Sequence, residues 1–272
     1  MKRTLYVSDL DETLLGSNER LSDTSIEIIN RLVERGMIFS YATARSYTTA
    51  SEVTKGLSAH LPVIVYNGTF ILDSKTQNRL HAAIFSQAET DRILSTLLRH
   101  GLSPIVRALT EQGERVTYLS DRITRGIRKY LDRRVGDKRL FHTQSTDDLR
   151  RENTFCFTCM DEKEKLLPAM KELEGEYRCL CFVDVYTNEQ WLEIQPLNAT
   201  KAQAILTLKR MLGCDRVICF GNGINDIPMF EIADECYAVA NADASLKEIA
   251  TAIIDSNDED GVAKWLLEHF EN

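Results

Sequence analysis

The sequence predicts an α/β protein, with a Rossmann-like core in which helices flank a parallel sheet, interrupted by an inserted α+β module. Three observations carry this. Short apolar runs alternate with amphipathic helical segments over the first 80 residues and again from Thr200 onward, as expected of parallel strands joined by crossover helices. Between those stretches the order changes to strands, hairpins and helices. A length of 272 residues also exceeds the usual size of one domain.

Leu5–Ser8 reads as a buried strand. Ser22 caps a helix with Ile26, Ile29, Leu32 and Val33 on one face, and Gly36 closes it. Met37–Ala42 is a second strand and Arg45–Leu57 a second helix. Pro62–Tyr66 is an apolar run of the kind buried parallel strands show. Thr69–Leu72 and Arg79–Phe85 flank a polar turn, like a hairpin. The inserted module then reads as a helix (Ser86–His100), strands (Pro104–Leu109, Val116–Leu119), a basic helix (Arg122–Arg134) and a polar stretch. It continues with a strand (Thr154–Met160), a helix (Glu162–Glu174) and strands (Tyr177–Val185, Trp191–Gln195). Its expected limits are residues 82–187, leaving 1–81 and 188–272 to the core. In the second core stretch a helix (Lys201–Leu212) leads to a strand (Arg216–Phe220). Three shorter helices (Ile227–Ala233, Ala244–Ile249, Gly261–Phe270) and two strands (Tyr237–Ala240, Ala252–Ile254) follow.

An apolar content of 43% supports a sizeable core, and a net charge of −8 argues against nucleic acid as a partner. No apolar run approaches the roughly 20 residues that span a bilayer. Met1-Lys2-Arg3-Thr4 leads into a strand-like run without a signal-peptide core, so a cytoplasmic protein is expected. The seven cysteines do not suggest a disulfide framework. Cys156-x-x-Cys159 and Cys179-x-Cys181 could suggest zinc, but both lie in strand-like runs, where residues three apart face opposite sides; buried thiols are the preferred reading. His60, His81, His100, His142 and His269 are scattered and read as ordinary residues. Trp191 and Trp265 read as packing residues. The basic run Arg125, Arg128, Lys129, Arg133 and Arg134 reads as a solvated helix face rather than a patch for an acidic metabolite.

Asp9-Leu10-Asp11-Glu12-Thr13 follows directly on the first strand. Two carboxylates one residue apart cannot comfortably both ionise unless a cation joins them or one keeps a proton. The first case makes a metal site; the second sets a general acid beside a nucleophile. Asp-x-Asp alone is equally a turn or helix cap. Three more polar clusters follow apolar strands, however: Thr43-Ala44-Arg45, Asn67-Gly68, and Asn222 to Asp226. In a parallel sheet all four converge on one edge, where such folds keep their chemistry. Lys201, in the first turn of a helix capped by Thr200, opposes the helix dipole, which favours a role toward an anion over a solvated surface lysine.

This set resembles the haloacid dehalogenase-like phosphatase superfamily, and within it the Cof-type sugar phosphatases with a large α+β cap. The resemblance rests on Asp9-x-Asp11-x-Thr13, on Thr43 with Arg45, on Lys201, and on Gly221–Asp226 as a Gly-Asp-x-x-Asn-Asp signature. It implies a Mg²⁺-dependent hydrolase of small phosphorylated metabolites, such as a sugar phosphate or phosphorylated cofactor, with its site between core and a mobile cap. Asp9 would be the nucleophile that becomes an aspartyl-phosphate, and Asp11 the general acid and base. Thr43 and Lys201 would stabilise phosphate oxygens. Mg²⁺ would be held by Asp9, the Asp11 carbonyl, Asn222 and Asp226. The backbone of Leu10, with Ala44, Arg45, Asn67 and Asn225, would line the phosphate or substrate.

Three positions depart from the family pattern. Ala44 and Ala202 stand where glycine is usual. Asn222 stands where an aspartate normally binds the metal, and its amide oxygen brings no charge; weaker metal affinity is expected, improved by Asn222→Asp. The competing readings are a phosphomutase on the same scaffold and a catalytically weakened phosphometabolite-binding protein.

Overall fold

The computed structural model describes residues 3–58, 62–184 and 187–270. Expectations for Met1, Lys2, His60 and Val185 lie outside these residues. The chain divides into two compact units, Met1–Ala82 with Ala199–Asn272, and Ala83–Asn198.

In chain order the first unit begins with β1 (Thr4–Ser8), a non-helical turn (Leu10–Leu14), α1 (Asp23–Glu34), β2 (Ile38–Tyr41) and α2 (Tyr47–Val53). Next come β3 (Pro62–Val65), a 3-10 turn (Tyr66–Gly68), β4 (Phe70–Asp73) and β5 (Arg79–Ala82). The second unit holds α3 (Gln87–Arg99), β6 (Pro104–Thr110), β7 (Gly113–Leu119), α4 (Arg125–Asp132) and β8 (Leu140–Thr143). It continues with β9 (Thr154–Met160), α5 (Lys163–Leu173), β10 (Arg178–Val183) and β11 (Gln190–Gln195). The chain then returns to the first unit through α6 (Lys201–Leu212), β12 (Arg216–Gly221), a 3-10 turn (Ile224–Asp226) and α7 (Ile227–Glu231). It finishes with β13 (Glu235–Val239), α8 (Ala244–Ile249), β14 (Ala252–Ile254) and α9 (Gly261–His269).

Among the described residues, the first unit has a five-stranded sheet ordered β14-β13-β12-β1-β2, with every pairing parallel. Two of its three inner strands, β1 and β12, are apolar runs because both faces are covered: Leu5, Val7, Val217, Cys219 and Phe220 are fully buried. The carboxyl ends of β1, β2 and β12 therefore lie at one edge, and they deliver Asp9, Thr43 and Asn222. α1 packs on α9, and α6 on α7 and the turn after β3.

The third strand departs from the simple parallel expectation. β3 pairs antiparallel with β4, and β4 with β5, as a separate three-stranded sheet. One parallel bridge, Ala42 to Ile64, and the hydrogen bond from Thr43 N to Ile64 O (3.0 Å) tie β3 to β2. The turn after β3 thus still reaches the edge where Thr43 lies. α2 also starts later than its apolar pattern suggested. Ser46 is its N-cap, accepting from Thr49 N, so Arg45 stays in the loop.

The second unit is built on a six-stranded sheet ordered β10-β11-β9-β6-β7-β8, antiparallel except for β7 with β8. Phe85, Ile93, Leu97, Phe157, Leu166 and Leu192 form its main core. Ile105, Ile127, Tyr130, Met160 and Trp191 form a second. The boundary expected at 188 falls instead after Asn198. The reason is pairing: β11 lies between β10 and β9 and belongs to this sheet. β8 lies within the expected polar stretch; it is four residues long and half exposed, with Arg115 over the Phe141 ring at 3.9 Å. The basic run lies on an exposed helix face, with Arg125, Arg128 and Arg133 exposed and with Arg125 and Lys129 paired to Glu189. Cys156 and Cys159 are free and buried. Trp265 packs against Phe220 and Tyr237 in the first unit.

Candidate active site

β1 delivers Asp9 to the sheet edge, and the chain then makes one π turn, closed by Leu15 N donating to Leu10 O at 2.8 Å. Asp9 is anchored from its backbone: its N–H donates to Phe220 O of β12 at 2.9 Å, and its carbonyl accepts from the Ser8 hydroxyl at 2.7 Å.

The centre of the site is a buried acid–lysine–acid cluster. Lys201 Nζ donates to Asp9 Oδ1 at 2.6 Å and to Asp226 Oδ1 at 2.7 Å. Lys201 is 3% exposed and Asp226 0%, so these are fully desolvated ion pairs. Thr200 caps α6 by accepting from Gln203 N. Gly68, at φ +99°, packs against that helix start; a Cβ there would stand 2.1 Å from Thr200 O. Contact this close sets where α6, and so Lys201, begins. The other oxygen of Asp226, Oδ2, accepts the backbone N–H groups of Asn222 (3.0 Å) and Gly223 (3.1 Å). Gly221 makes room for it, since a Cβ would lie 2.8 Å from Asp226 Oδ2.

The cluster holds two carboxylates against one ammonium. Burial pushes the Asp9 carboxyl up to about 7; the Lys201 charge opposes that rise, and Asp226 adds to it. Burial also works against the Lys201 charge, but Asp9 and Asp226 outweigh it and hold the ammonium above its usual range.

The remaining expected residues divide into those joined to this cluster and those that are not. Thr43 is fully buried; its hydroxyl accepts from Arg45 N at 3.1 Å, and its carbonyl accepts from Asn67 N at 2.9 Å. The loops after β2 and β3 are thereby one hydrogen-bonded unit. Asn67 sits in the left-handed region at φ 53°. The Asp11 side chain does not join Asp9. The Arg45 guanidinium grips both its oxygens, Nε lying 2.9 and 3.1 Å away, and Arg45 also reaches Glu19 at 3.0 Å. The first effect of these acids is to raise the guanidinium above its usual range. Leu10 is buried, with its backbone favouring the charged form of Asp9. Ala44 and Asn225 are exposed. Ala44 is absent from the left-handed residues, so glycine is not required there. Ala202 is buried in the first turn of α6.

Asn222 is held at both ends of its amide. Thr13 Oγ1 donates to Asn222 Oδ1 at 3.0 Å, and Asn222 Nδ2 donates to Glu12 Oε2 at 3.3 Å. Glu12, Gly68 and Gly221 were read as members of the motifs, but none was given a role of its own. The signal for Glu12 was an acid inside the opening motif, and for the glycines their place beside motif residues.

Asp9, Asp226, the Asp11 carbonyl and Asn222 Oδ1 are hard oxygen donors that could hold Mg²⁺, and the excess of buried negative charge fits a cation there. Among the described residues no three His, Cys, Asp or Glu side chains gather as a metal cluster.

The acid–lysine–acid cluster lies at the carboxyl edge of a parallel sheet, where open α/β folds hold their ligands. The model for haloacid dehalogenase-like hydrolases matches residues 6–266, and the chain belongs to that family. It is 27% identical to the 5-amino-6-(5-phospho-D-ribitylamino)uracil phosphatase YwtE of Bacillus subtilis, over 95% of each chain. It is 24% identical to a second enzyme of that name, YitU, from the same organism, covering 99% of this chain and 98% of that one. A solved haloacid dehalogenase-like hydrolase from Bacteroides thetaiotaomicron superposes with a TM-score of 0.74 at 22% identity, covering 99% of this chain and all of that one. That likeness concerns the fold.

Proposed function

We propose that this protein is a Mg²⁺-dependent phosphomonoesterase that works through an aspartyl-phosphate on Asp9. The observation that carries the reading is the buried cluster in which Lys201 bridges Asp9 and Asp226 at 2.6 and 2.7 Å. A desolvated carboxylate beside a fixed ammonium suits attack on an anionic phosphoester, because phosphoryl transfer depends on positioning and charge neutralisation.

In the first half-reaction an Asp9 carboxylate oxygen attacks phosphorus in line, and the bond to the leaving oxygen breaks. Asp11 gives that oxygen its proton, and the alcohol departs. In the second, water attacks the phosphorus of the aspartyl-phosphate, Asp11 takes its proton, the bond to Asp9 breaks and inorganic phosphate leaves. Thr43 and Lys201 donate to the phosphate oxygens, Asn67 and Asn225 contribute amide contacts to the substrate, and Asp11 exchanges its contact with the Arg45 guanidinium, which favours the carboxylate, for the leaving oxygen before it acts as an acid. When bound, Mg²⁺ supplies positive charge that offsets repulsion between Asp9 and the phosphate.

The substrate class we infer is a small phosphorylated metabolite, with phosphorylated ribityl compounds the first to test in view of the relatives' activity. The measurement is release of inorganic phosphate from para-nitrophenyl phosphate and a panel of such metabolites, with and without EDTA. Asp9→Asn should lower turnover at least ~10³-fold, and EDTA should abolish it reversibly. Turnover that survives Asp9→Asn would sink the reading. Phosphate release that needs a bisphosphate activator would favour a mutase.

A further inference from the structure

Glu12 has no part in the chemistry above, yet the site holds it firmly. Its backbone lies in the left-handed region at φ 54°, which a residue with a Cβ seldom adopts and which marks local strain. Its carbonyl accepts from Asn241 Nδ2 at 2.8 Å. Its carboxylate accepts from Asn222 Nδ2 at 3.3 Å, while Thr13 donates to Asn222 Oδ1 at 3.0 Å. A carboxylate can only accept and needs the amide NH₂ facing it. Glu12 and Thr13 therefore determine which end of the Asn222 amide is oxygen and where that oxygen sits.

We propose that Glu12 is a positioning residue of the cation site, returning to position 222 the negative charge that an amide lacks. This rests on the Mg²⁺ reading above. An amide N–H donating to a carboxylate is polarised, and electron density moves toward its oxygen. The oxygen becomes a stronger ligand, as neutral ligands do when a carboxylate stands behind them. The charge of Glu12 also lowers the energy of a nearby cation without touching it. The pair is matched, because an aspartate at 222 would face Glu12 as a like charge. One negative charge is thus needed across positions 12 and 222, and this sequence carries it on 12.

The test is Mg²⁺ binding to the full-length, substrate-free protein, measured by calorimetry and by the Mg²⁺-induced rise in melting temperature. The variants are Glu12→Gln, Asn222→Asp and the double variant. Glu12→Gln keeps an oxygen for the Asn222 amide and removes only charge. It should weaken Mg²⁺ binding about tenfold and leave the metal-free melting temperature unchanged. Adding Asn222→Asp to it should restore at least the original affinity, because the charge returns directly to 222. The proposal is overturned if Glu12→Gln binds Mg²⁺ as the parent does, if its loss comes with an equal loss of metal-free stability, or if the double variant stays weak. A parent protein that binds no Mg²⁺ would overturn both this proposal and the metal-dependent reading; a parent that binds alongside an unaffected Glu12→Gln overturns this proposal alone.

Discussion

Lys201 is the residue on which the electrostatics of the site turn. Its ammonium pairs with two buried carboxylates, Asp9 and Asp226. Removing one member of such a cluster leaves uncompensated buried charge, a loss of about 3–5 kcal/mol. Lys201→Met should therefore lower stability by that amount in urea titrations of the metal-free protein. Mg²⁺ should recover part of it, since a cation then meets two unopposed acids. Asp9 makes a second residue-scale prediction. Burial raises its carboxyl to about 7, against about 4 in an unfolded chain. Between those values the folded protein holds a proton that the unfolded chain has lost. The stabilisation is complete below the lower value and is lost as pH rises through the higher one. In EDTA the parent should lose melting temperature between about pH 4 and 7 relative to Asp9→Asn; identical slopes would refute the assignment. Residues of this kind were partly legible in advance. The spacing of Asp9 and Asp11 after an apolar strand was visible, but the capture of Asp11 by Arg45 was not, because that contact joins residues 34 positions apart.

At the scale of elements, the site depends on how loops meet helix starts. The turn after β3 packs against the first residues of α6 through Gly68. Gly68→Ala combines a positive φ with a 2.1 Å approach to Thr200 O, so the two segments must separate. The expected cost is ~1–3 kcal/mol of stability, with a fall in kcat of about 100-fold if Lys201 shifts by an ångström. Chemical denaturation and phosphate-release kinetics on the same variant would test both; full activity at full stability would show that the contact does not govern Lys201. Element type was legible from apolar runs and caps, as in Ser22 and Thr200, each of which accepts from the N–H three residues on. Strand partnership was not. β3 has the apolar content of a buried parallel strand, yet its ladder is antiparallel with β4, because the connection after it is too short for a crossover and fits a hairpin. β8 was missed because a four-residue, half-exposed strand carries too little hydrophobic signal.

At the scale of the molecule, two units each bury their own core. In the second, Phe85, Phe157, Tyr177 and Leu192 belong to one core cluster with residues of α3 and α5, and the described members of that cluster lie within 83–198. A chain of residues 83–198 alone should fold and unfold cooperatively on heating, followed by circular dichroism; a non-cooperative melt would mean that its core needs the remainder of the protein. Its far boundary was misjudged by eleven residues, from 188 to 199. Hydrophobic alternation marks β11 as a strand, but which sheet it joins is decided by hydrogen bonding to β9 and β10. Among the described residues, no helix is long and apolar enough to cross a membrane.

By itself, the sequence determined the alternation of strands and helices, the insertion between them and the polar clusters at strand ends. These are local or periodic properties, written in neighbouring residues and in the family motifs they form. Only the tertiary structure decided that Lys201 bridges Asp9 and Asp226, that Arg45 holds Asp11, and that Glu12 meets Asn222. Those contacts join residues far apart in the chain, and their energies come from burial and charge proximity, which exist only once the loops have met at one edge of the sheet.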